Sequence, residues 1–269
     1  MIKKCKKTKK LYSFNISKLN RSLNSYLDKN IMKTLYNEFK NRDVISKIKI
    51  PTLFKKYKYY FYTRDKDVYG KLFYINNNNK HITLIDFDKI VNKTNFINIG
   101  NIALSNNEEY VAYSYDNIGD NSFKIFVKSI SNNKHLNIIT ENISKFNIDS
   151  DIVWSPDSKG FYFLSKNKVD LRTNYVKYYE LCNNKISDIF YENNDKYNIS
   201  LDYSTDLNKI FLYKEAHGNN GIFEIQDYNV KKIFNPSSDI YYSIDYYNGI
   251  YYILKSNNNK TKITSTIDF

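Results

Sequence analysis

A short strand core rich in aromatic and aliphatic residues recurs along this chain at a nearly constant interval. Successive cores lie about 50, 50, 49 and 40 residues apart. An interval of this length is typical of repeat architectures, in which each repeat is one supersecondary unit. The cores are Tyr59–Tyr62, Val111–Ser114, Phe161–Leu164, Ile210–Tyr213 and Ile250–Ile253.

The residues just before three of the cores are also alike. The segments LSNNEEYVAYS, WSPDSKGFYFL and YSTDLNKIFLY place Ser105, Ser155 and Ser204 ahead of a polar turn and a strand. Each repeat has room for about four short strands, which is typical of a β-propeller blade. A sandwich of stacked hairpins is the alternative, but it does not require a near-constant interval. The repeats therefore favour an all-β fold built of propeller blades.

Composition supports strands after Pro51. The chain holds 27 Tyr and 17 Phe, which suit a pleated, half-buried surface. No helical pattern after Pro51 is long enough to supply the crossovers of a parallel sheet. Fewer than twenty residues follow the fifth core, so we expect the last unit to be only the start of a blade.

The segment before Pro51 has a different pattern. Apolar residues recur every four positions from Leu19 to Phe39, which predicts an amphipathic helix with Ser17 as its N-cap. The predicted organisation is a basic segment over residues 1–16, a helix over 17–47 and an incomplete propeller over 48–269.

The net charge of +13 raises the possibility of a nucleic-acid or membrane-surface partner. The lysines are spread along the chain, however, and the joint excess of Lys, Asn, Ile and Tyr is what an AT-rich genome produces. Neither a basic stripe, a signal peptide nor an apolar run of membrane-spanning length is present. Cys5 and Cys182 form no disulfide framework. We expect a cytoplasmic protein without a nucleic-acid or membrane partner.

The search for catalytic or ligand-binding motifs is negative. The chain has no Gly-x-Ser-x-Gly nucleophile elbow, no phosphate-binding loop and no dinucleotide fingerprint. His81, His135 and His217 are far apart, and His217 in KEAHGNNG is better read as a solvated turn residue than as a triad base. We therefore predict no catalytic residue, no cofactor and no metal site.

Two further features have a structural interpretation. Five aspartates form an apparent carboxylate cluster, but they are assigned to turns, where Asp bonds the backbone, rather than to a Ca²⁺ site. Trp154 is expected to pack at the start of a blade's outer hairpin. The aspartates are Asp116, Asp120, Asp149, Asp151 and Asp157.

The order of motifs over about 85% of the chain resembles the N-terminal propeller of the prolyl oligopeptidase family of serine peptidases, and oligopeptidase B more than prolyl oligopeptidase. The strongest segment is LSNNEEYVAYSYDNIGDNSFKIFVKSI (104–130), followed by VWSPDSKGFYFLSKNKVDLRTNYVKYYEL (153–181). The helix of residues 25–42, the strands of 48–75, DIFYENNDKYNISLDYSTD (188–206) and IDYYNGIYYILKSN (244–257) follow in the family's order.

Several positions depart from the family pattern. Asp88 stands where Asn is usual, and Asn106 and Thr173 stand where Pro is usual. An Asp-Pro-Tyr-Trp stretch before the first helix is missing. The α/β-hydrolase domain with its Ser, Asp and His is also missing, so the resemblance predicts about four to five of seven four-stranded blades after an N-terminal helix.

What the resemblance implies is an oligopeptidase that cleaves short peptides after basic residues, with the propeller as a lid. The chain would be inactive alone, a truncated or split gene product whose partner is the missing hydrolase domain. The alternative is a non-enzymatic propeller that binds another protein. Arg172 and Glu192 are the candidates for facing the hydrolase domain.

Overall fold

The computed structural model describes residues 28–42, 50–63, 67–94, 96–136, 148–166, 172–237, 239–257, 260–267 and 269. The chain divides into two units, Met1–Ile48 and Lys49–Phe269. Two helices and five antiparallel sheets lie within the described residues. No helix in this part of the chain has the length and hydrophobicity that crossing a lipid bilayer requires.

Helix α1 (Lys29–Arg42) is the described part of the first unit. The Asp28 carboxylate accepts the backbone N–H groups of Asn30 and Ile31 at 2.8 and 3.2 Å, which is the N-cap arrangement. The predicted helix is confirmed over this range. Its predicted beginning, with Ser17 as the cap, lies outside the described residues.

The second unit is a series of five blades, and in each blade the strands are neighbours in chain order. Blade 1 is β1 (Thr52–Leu53), β2 (Lys58–Tyr62), β3 (Lys71–Ile75) and β4 (His81–Asp86). Blade 2 is β5 (Asn98–Leu104), β6 (Tyr110–Asp116) and β7 (Lys124–Ser129). Blade 3 is β8 (Ile148–Trp154), β9 (Gly160–Lys166), β10 (Thr173–Glu180) and β11 (Lys185–Tyr191).

Blade 4 is β12 (Asn198–Tyr203), β13 (Ile210–Ala216), β14 (Asn219–Gln226) and β15 (Asn229–Phe234). Blade 5 is β16 (Ile240–Tyr247), β17 (Ile250–Asn257) and β18 (Lys260–Thr266). Each of the five repeated cores falls in the second strand of its blade. The predicted repeat is therefore confirmed, and the predicted all-β propeller of four to five blades has five in the described residues.

The expectation that the last unit is not a whole four-stranded blade is confirmed, since blade 5 has three strands, but the narrower expectation that it is only the start of a blade was wrong. It treated the core Ile250–Ile253 as the first strand, whereas β16 precedes it and β18 follows it. The short stretch after the core suffices for a third strand because β18 pairs with β17 from Lys260 opposite Asn257 to Thr266 opposite Tyr251. Blade 5 therefore has three paired strands.

A short helix, α2 (Phe87–Thr94), was not predicted. Eight residues are too few to show a helical period. Phe87 is fully buried against blades 1 and 2, and the Asp88 carboxylate accepts backbone N–H groups of Val68, Tyr69 and Gly70 at 2.8 to 3.2 Å. Helix α2 thus fixes the connection between the first two blades.

The apolar core is divided into layers, one between each pair of neighbouring blades. Strand side chains alternate between the two faces of a blade, so the inner blades bury both faces. Val153 on β8 packs toward blade 4, while its neighbours Ile152 and Trp154 pack toward blade 2. Four such layers join the five blades.

We expect Gly160→Ala to destabilise blade 3. A Cβ at Gly160 would overlap the carbonyl oxygen of Tyr179 and lie 2.5 Å from Oη of Tyr178, and the backbone oxygen cannot move away without breaking the sheet. Urea unfolding should show a loss of about 1–3 kcal/mol, the usual cost of overpacking.

The control for this substitution is Gly218→Asn. Gly218 has φ +86°, no atom lies within 4 Å of a Cβ built there, and Asn tolerates this backbone region. We expect a change within about 0.5 kcal/mol. Equal stability of Gly160→Ala and the wild-type chain would contradict the close packing of β9 on β10.

Candidate functional site

The turns between the first and second strands of blades 2, 3 and 4 have the same hydrogen-bond pattern. In each, a buried serine donates to the side-chain oxygen two residues on and accepts the backbone N–H five residues on. The donated bonds are all 2.7 Å long, from Ser105 to Asn107, Ser155 to Asp157 and Ser204 to Asp206. The accepted bonds come from Tyr110, Gly160 and Lys209 at 3.0 to 3.2 Å.

These three turns lie together at one end of the propeller axis. The Asn106 side-chain amide donates to the carbonyl of Pro156 in blade 3 at 3.1 Å and to that of Leu207 in blade 4 at 2.8 Å. The backbone N–H of Asn107 donates to Oγ of Ser158 at 3.1 Å. Side chains of one turn thus bind the neighbouring turns directly.

Glu108 and Asp245 extend these links to the first and last described blades. The Glu108 carboxylate, 5% exposed, accepts three consecutive backbone N–H groups of the β1–β2 turn at 2.7 to 3.3 Å. The Asp245 carboxylate in blade 5 accepts N–H and Oγ1–H of Thr205 in blade 4 at 2.8 and 2.6 Å. All five blades are therefore connected at this end by polar side chains.

We expect Glu108→Ala to destabilise the second unit by about 1–3 kcal/mol, because three backbone donors lose a charged acceptor. The neighbouring exposed Glu109 provides a matched control, and Glu109→Ala should change stability by no more than about 0.5 kcal/mol. Urea unfolding measures both. Equal effects of the two substitutions would contradict the assigned role of Glu108.

A cavity of about 260 Å³ lies beside these turns, between the first strands of the blades. Phe54, Trp154 and Tyr203 contribute aromatic walls, and Asn101 and Asn106 contribute polar groups. Trp154 Nε1–H donates to the carbonyl of Ala103 on β5 at 3.0 Å. Packing was the predicted role of Trp154, but its predicted place was wrong, because β8 is the first strand of blade 3 and not part of an outer hairpin.

Four carboxylates lie along the first strands of blades 3, 4 and 5. Asp149 and Asp151 are on β8, Asp202 on β12 and Asp245 on β16. Burial raises the pKa of Asp151, and the negative charges of Asp149 and Asp202 raise it further. Desolvation also raises the pKa of Asp202, with the Asp245 carboxylate adding to it. These four carboxylates on neighbouring first strands are called the acidic row below.

The predicted turn location of two aspartates was wrong. Asp149 and Asp151 lie in strand β8. This strand is at the edge of its sheet, where polar side chains can be accommodated. Asp149 accepts a hydrogen bond from Thr173 Oγ1 and pairs with Nζ of Lys166 at 3.4 Å. The segment IDSDIVW mixes turn-forming residues with apolar ones, which conceals the strand in the sequence.

Asp120 and Asp157 lie in turns as predicted, whereas Asp116 is the last residue of strand β6 and its carboxylate binds the turn that follows. Asp116 accepts the N–H groups of Ile118, Gly119 and Asn121 at 2.7 to 2.9 Å, and Asp120 accepts that of Ser122. Asp157 belongs to the Ser155 turn described above. Within the described residues, no group of three or more His, Cys, Asp and Glu side chains has the arrangement of a metal site.

The three histidines lie in different blades. His217 is exposed in the β13–β14 turn, the place predicted for it. His81 Nδ1 is 2.7 Å from Oη of Tyr60, and the His135 ring is 6.2 Å from that of Tyr113. That the chain carries no catalytic residue stays a prediction.

Arg172 and Glu192 hold the connection between blades 3 and 4. The Arg172 guanidinium donates to the carbonyls of Asn194 and Tyr197 at 3.0 and 2.8 Å. Glu192, 4% exposed, pairs with Nζ of Lys214 at 2.6 Å and accepts the N–H of Asn194. Their polar groups thus bind within the propeller.

Blade 5 has one covered face and one exposed face. Ile244, Tyr251 and Ile253 pack against blade 4. The side chains that alternate with them form the outer face of blade 5, and its large residues are between 37% and 71% exposed: Tyr247, Tyr252, Leu254 and Ile263. Such a group of apolar side chains on one sheet face is a candidate interaction surface.

Substituting Asp151 by Asn should stabilise the protein at neutral pH. The raised pKa of Asp151 means that ionisation costs more in the folded than in the unfolded chain, so stability is lost as pH rises through the folded pKa. Asn keeps the shape without the charge. Melting curves should show the variant more stable at pH 7, with the difference disappearing below the unfolded pKa.

Asp157→Asn provides the opposite case. Burial opposes ionisation of Asp157, but hydrogen bonds from Ser155 Oγ and the Lys159 N–H outweigh it and lower the pKa. This variant should be less stable at pH 7, with the loss shrinking as pH falls through the lowered folded pKa. The same sign for both variants would contradict the assigned environments.

The five blades define the chain as a β-propeller protein. Residues 18–264 match the family described as "Prolyl oligopeptidase, N-terminal beta-propeller domain". The chain therefore belongs to this family, as its resemblance predicted. No curated protein sequence matches it.

Solved structures of family members have the same fold. Oligopeptidase B from Leishmania major superposes with a TM-score of 0.74 at 15% identity, covering 88% of this chain and 35% of that one. Oligopeptidase B from Trypanosoma brucei, with covalently bound antipain in a closed form, gives 0.71 at 14% identity, with 88% and 35% coverage. Prolyl oligopeptidase B from Galerina marginata gives 0.62 at 17%, with 81% and 35%. The chain thus spans about a third of their length.

Proposed function

We propose that the chain is the propeller part of an oligopeptidase, acting as a lid over an α/β-hydrolase domain. That domain would be carried by further residues of a longer protein or by another chain. Family membership supports the propeller's role, and the apolar outer face of blade 5 is the observation that supports association with more polypeptide. An exposed sheet face of this kind gains free energy when another surface covers it.

We further propose that the substrates are short peptides cut after basic residues. The acidic row of Asp149, Asp151, Asp202 and Asp245 supports this, because it places negative charge along the first strands of a chain whose net charge is +13. A local negative potential attracts cationic peptides and raises their local concentration. A neutral peptide gains nothing from it.

The experiment combines native purification with a serine-reactive probe. The protein is purified from its source, labelled with a fluorophosphonate and assayed on a fluorogenic Arg-containing peptide. We expect label and cleavage in a longer polypeptide or a co-purifying chain, and neither in the isolated 269-residue chain. Label on the isolated chain would overturn the prediction that it lacks a nucleophile.

The outer face of blade 5 is tested by Leu254→Asp. A carboxylate there should prevent another surface from covering the face, so association with the labelled polypeptide and peptide cleavage should fall together. Ile118→Asp is the matched control, since Ile118 is 71% exposed in the β6–β7 loop and away from this face. Full association of Leu254→Asp would contradict the proposal and favour a non-enzymatic propeller module.

A further inference from the structure

A cleft of about 440 Å³ lies between blades 3 and 4, outside the acidic row and the outer face of blade 5. The Ser155 turn and the sheet of blade 3 form one side. The β14–β15 turn of blade 4, with Asp227 and Tyr228, forms the other. Its size suits a single side chain of a ligand better than a folded surface.

Three tyrosines line this cleft. The rings of Tyr162 and Tyr178 have centroids 4.7 Å apart, and those of Tyr178 and Tyr228 are 4.9 Å apart at 69°. Tyr162 and Tyr178 are buried, whereas Tyr228 is 50% exposed. The missing Cβ of Gly160 leaves room for the Tyr178 hydroxyl. The cleft therefore combines a fixed aromatic floor with one accessible ring.

The two buried tyrosines, Tyr162 and Tyr178, stay uncharged at neutral pH. Burial raises the pKa of Tyr162, and the nearby charges of Asp157 and Asp227 raise it further. Burial is also the main cause of the raised pKa of Tyr178. Neutral rings next to carboxylates attract cations through both the ring quadrupole and the charge.

The carboxylates of the cleft are accessible to a cation. Asp157 pairs with Lys159 at 3.3 Å, but the Lys159 side chain is 72% exposed, and a surface ion pair of this kind is easily exchanged. The second lysine, Lys209, is held by Glu224 at 2.7 Å. Asp157 and Asp227 therefore leave a negative charge that the cleft's own lysines do not fully bind.

The β14–β15 turn keeps a conformation that its residues disfavour. Asp227 and Tyr228 have φ values of +48° and +65°, where hairpin turns usually carry Asn-Gly. A bulky ring in this region costs about 1–3 kcal/mol, and such strain is concentrated at functional sites. In this strained conformation the Asp227 carboxylate and the Tyr228 ring both line the cleft.

We propose that this cleft binds the guanidinium group of an arginine side chain presented by a peptide. The planar group stacks on aromatic rings, and its five N–H donors match several acceptors at once. Asp157, Asp227 and the tyrosine hydroxyls supply such acceptors. The net charge of the chain is +13, so binding of a cation here depends on these local acidic and aromatic groups. The site does not depend on a hydrolase domain.

The test measures binding of N-acetyl-arginine amide to the full chain by NMR titration. N-acetyl-citrulline amide, which is neutral and nearly the same shape, is the control ligand. We expect the arginine compound to bind about tenfold more tightly, since charge-assisted hydrogen bonds are lost with citrulline. Equal binding of the two compounds, or saturation by neither, would overturn the proposal.

Asp227→Asn isolates the charge without disturbing the turn. Asn adopts a positive φ readily, so the variant should unfold at the same or a higher urea concentration. Its affinity for the arginine compound should fall about tenfold. Asp239→Asn is the matched control, because Asp239 is an exposed turn residue with φ +61° away from the cleft, and its affinity should be unchanged.

Tyr228→Asn tests the contribution of the aromatic ring to binding without disrupting the fold. Asn relieves the strain at this position, so the fold should be retained, while the loss of the accessible ring should lower affinity by about fivefold. Unchanged affinity in both Asp227→Asn and Tyr228→Asn would show that the arginine compound binds elsewhere and would refute the site.

Discussion

The polar links between the turns at one end of the axis are the constraint on which the propeller depends. Each blade is a separate hydrogen-bonded sheet, and no continuous backbone ladder runs from one blade to the next within the described residues; blades 2 and 3 share an isolated bridge between Phe123 and Ile148. Apolar layers hold the blades face to face, but such packing is not directional. Glu108, Asn106 and Asp245 supply the direction, because each binds backbone groups of a neighbouring blade. They set the position of one blade relative to the next.

The links between the turns also determine which side chains lie near the propeller axis. Because the turns close one end, the first strands lie side by side, and their outward side chains meet around the 260 Å³ cavity. Burial is the main cause of the raised pKa of Asp151, and the negative charge of Asp202, about 50 residues away in the chain, adds to it. The surface of the protein is basic, yet the first strands are acidic. The net charge of the whole chain therefore does not indicate the charge near the first strands.

The sequence allowed the repeat to be predicted because every blade places its most apolar strand second, where both neighbours are strands. The serine turns were visible for a related reason, since the same bonds recur in blades 2, 3 and 4. Helix α2 could not be predicted, because its stability comes from burial of Phe87 and the bonds of Asp88 rather than from a helical period. The cleft tyrosines were equally hidden, since 66 residues separate Tyr162 from Tyr228 and only blade packing joins them.

A layered core has a consequence for the outer face of blade 5. In repeat architectures, stability is approximately a sum of each unit and its contacts with its neighbours. Blades 2, 3 and 4 each gain two apolar layers, whereas blade 5 packs through one face, with the buried Tyr251–Glu224 hydrogen bond of 2.7 Å tying it to blade 4. Its other face has the same alternation of Tyr, Leu and Ile that the inner blades bury. Covering this face would therefore add an apolar layer of the kind that already joins the blades. The burial would stabilise the association of blade 5 with the polypeptide that supplies the covering surface.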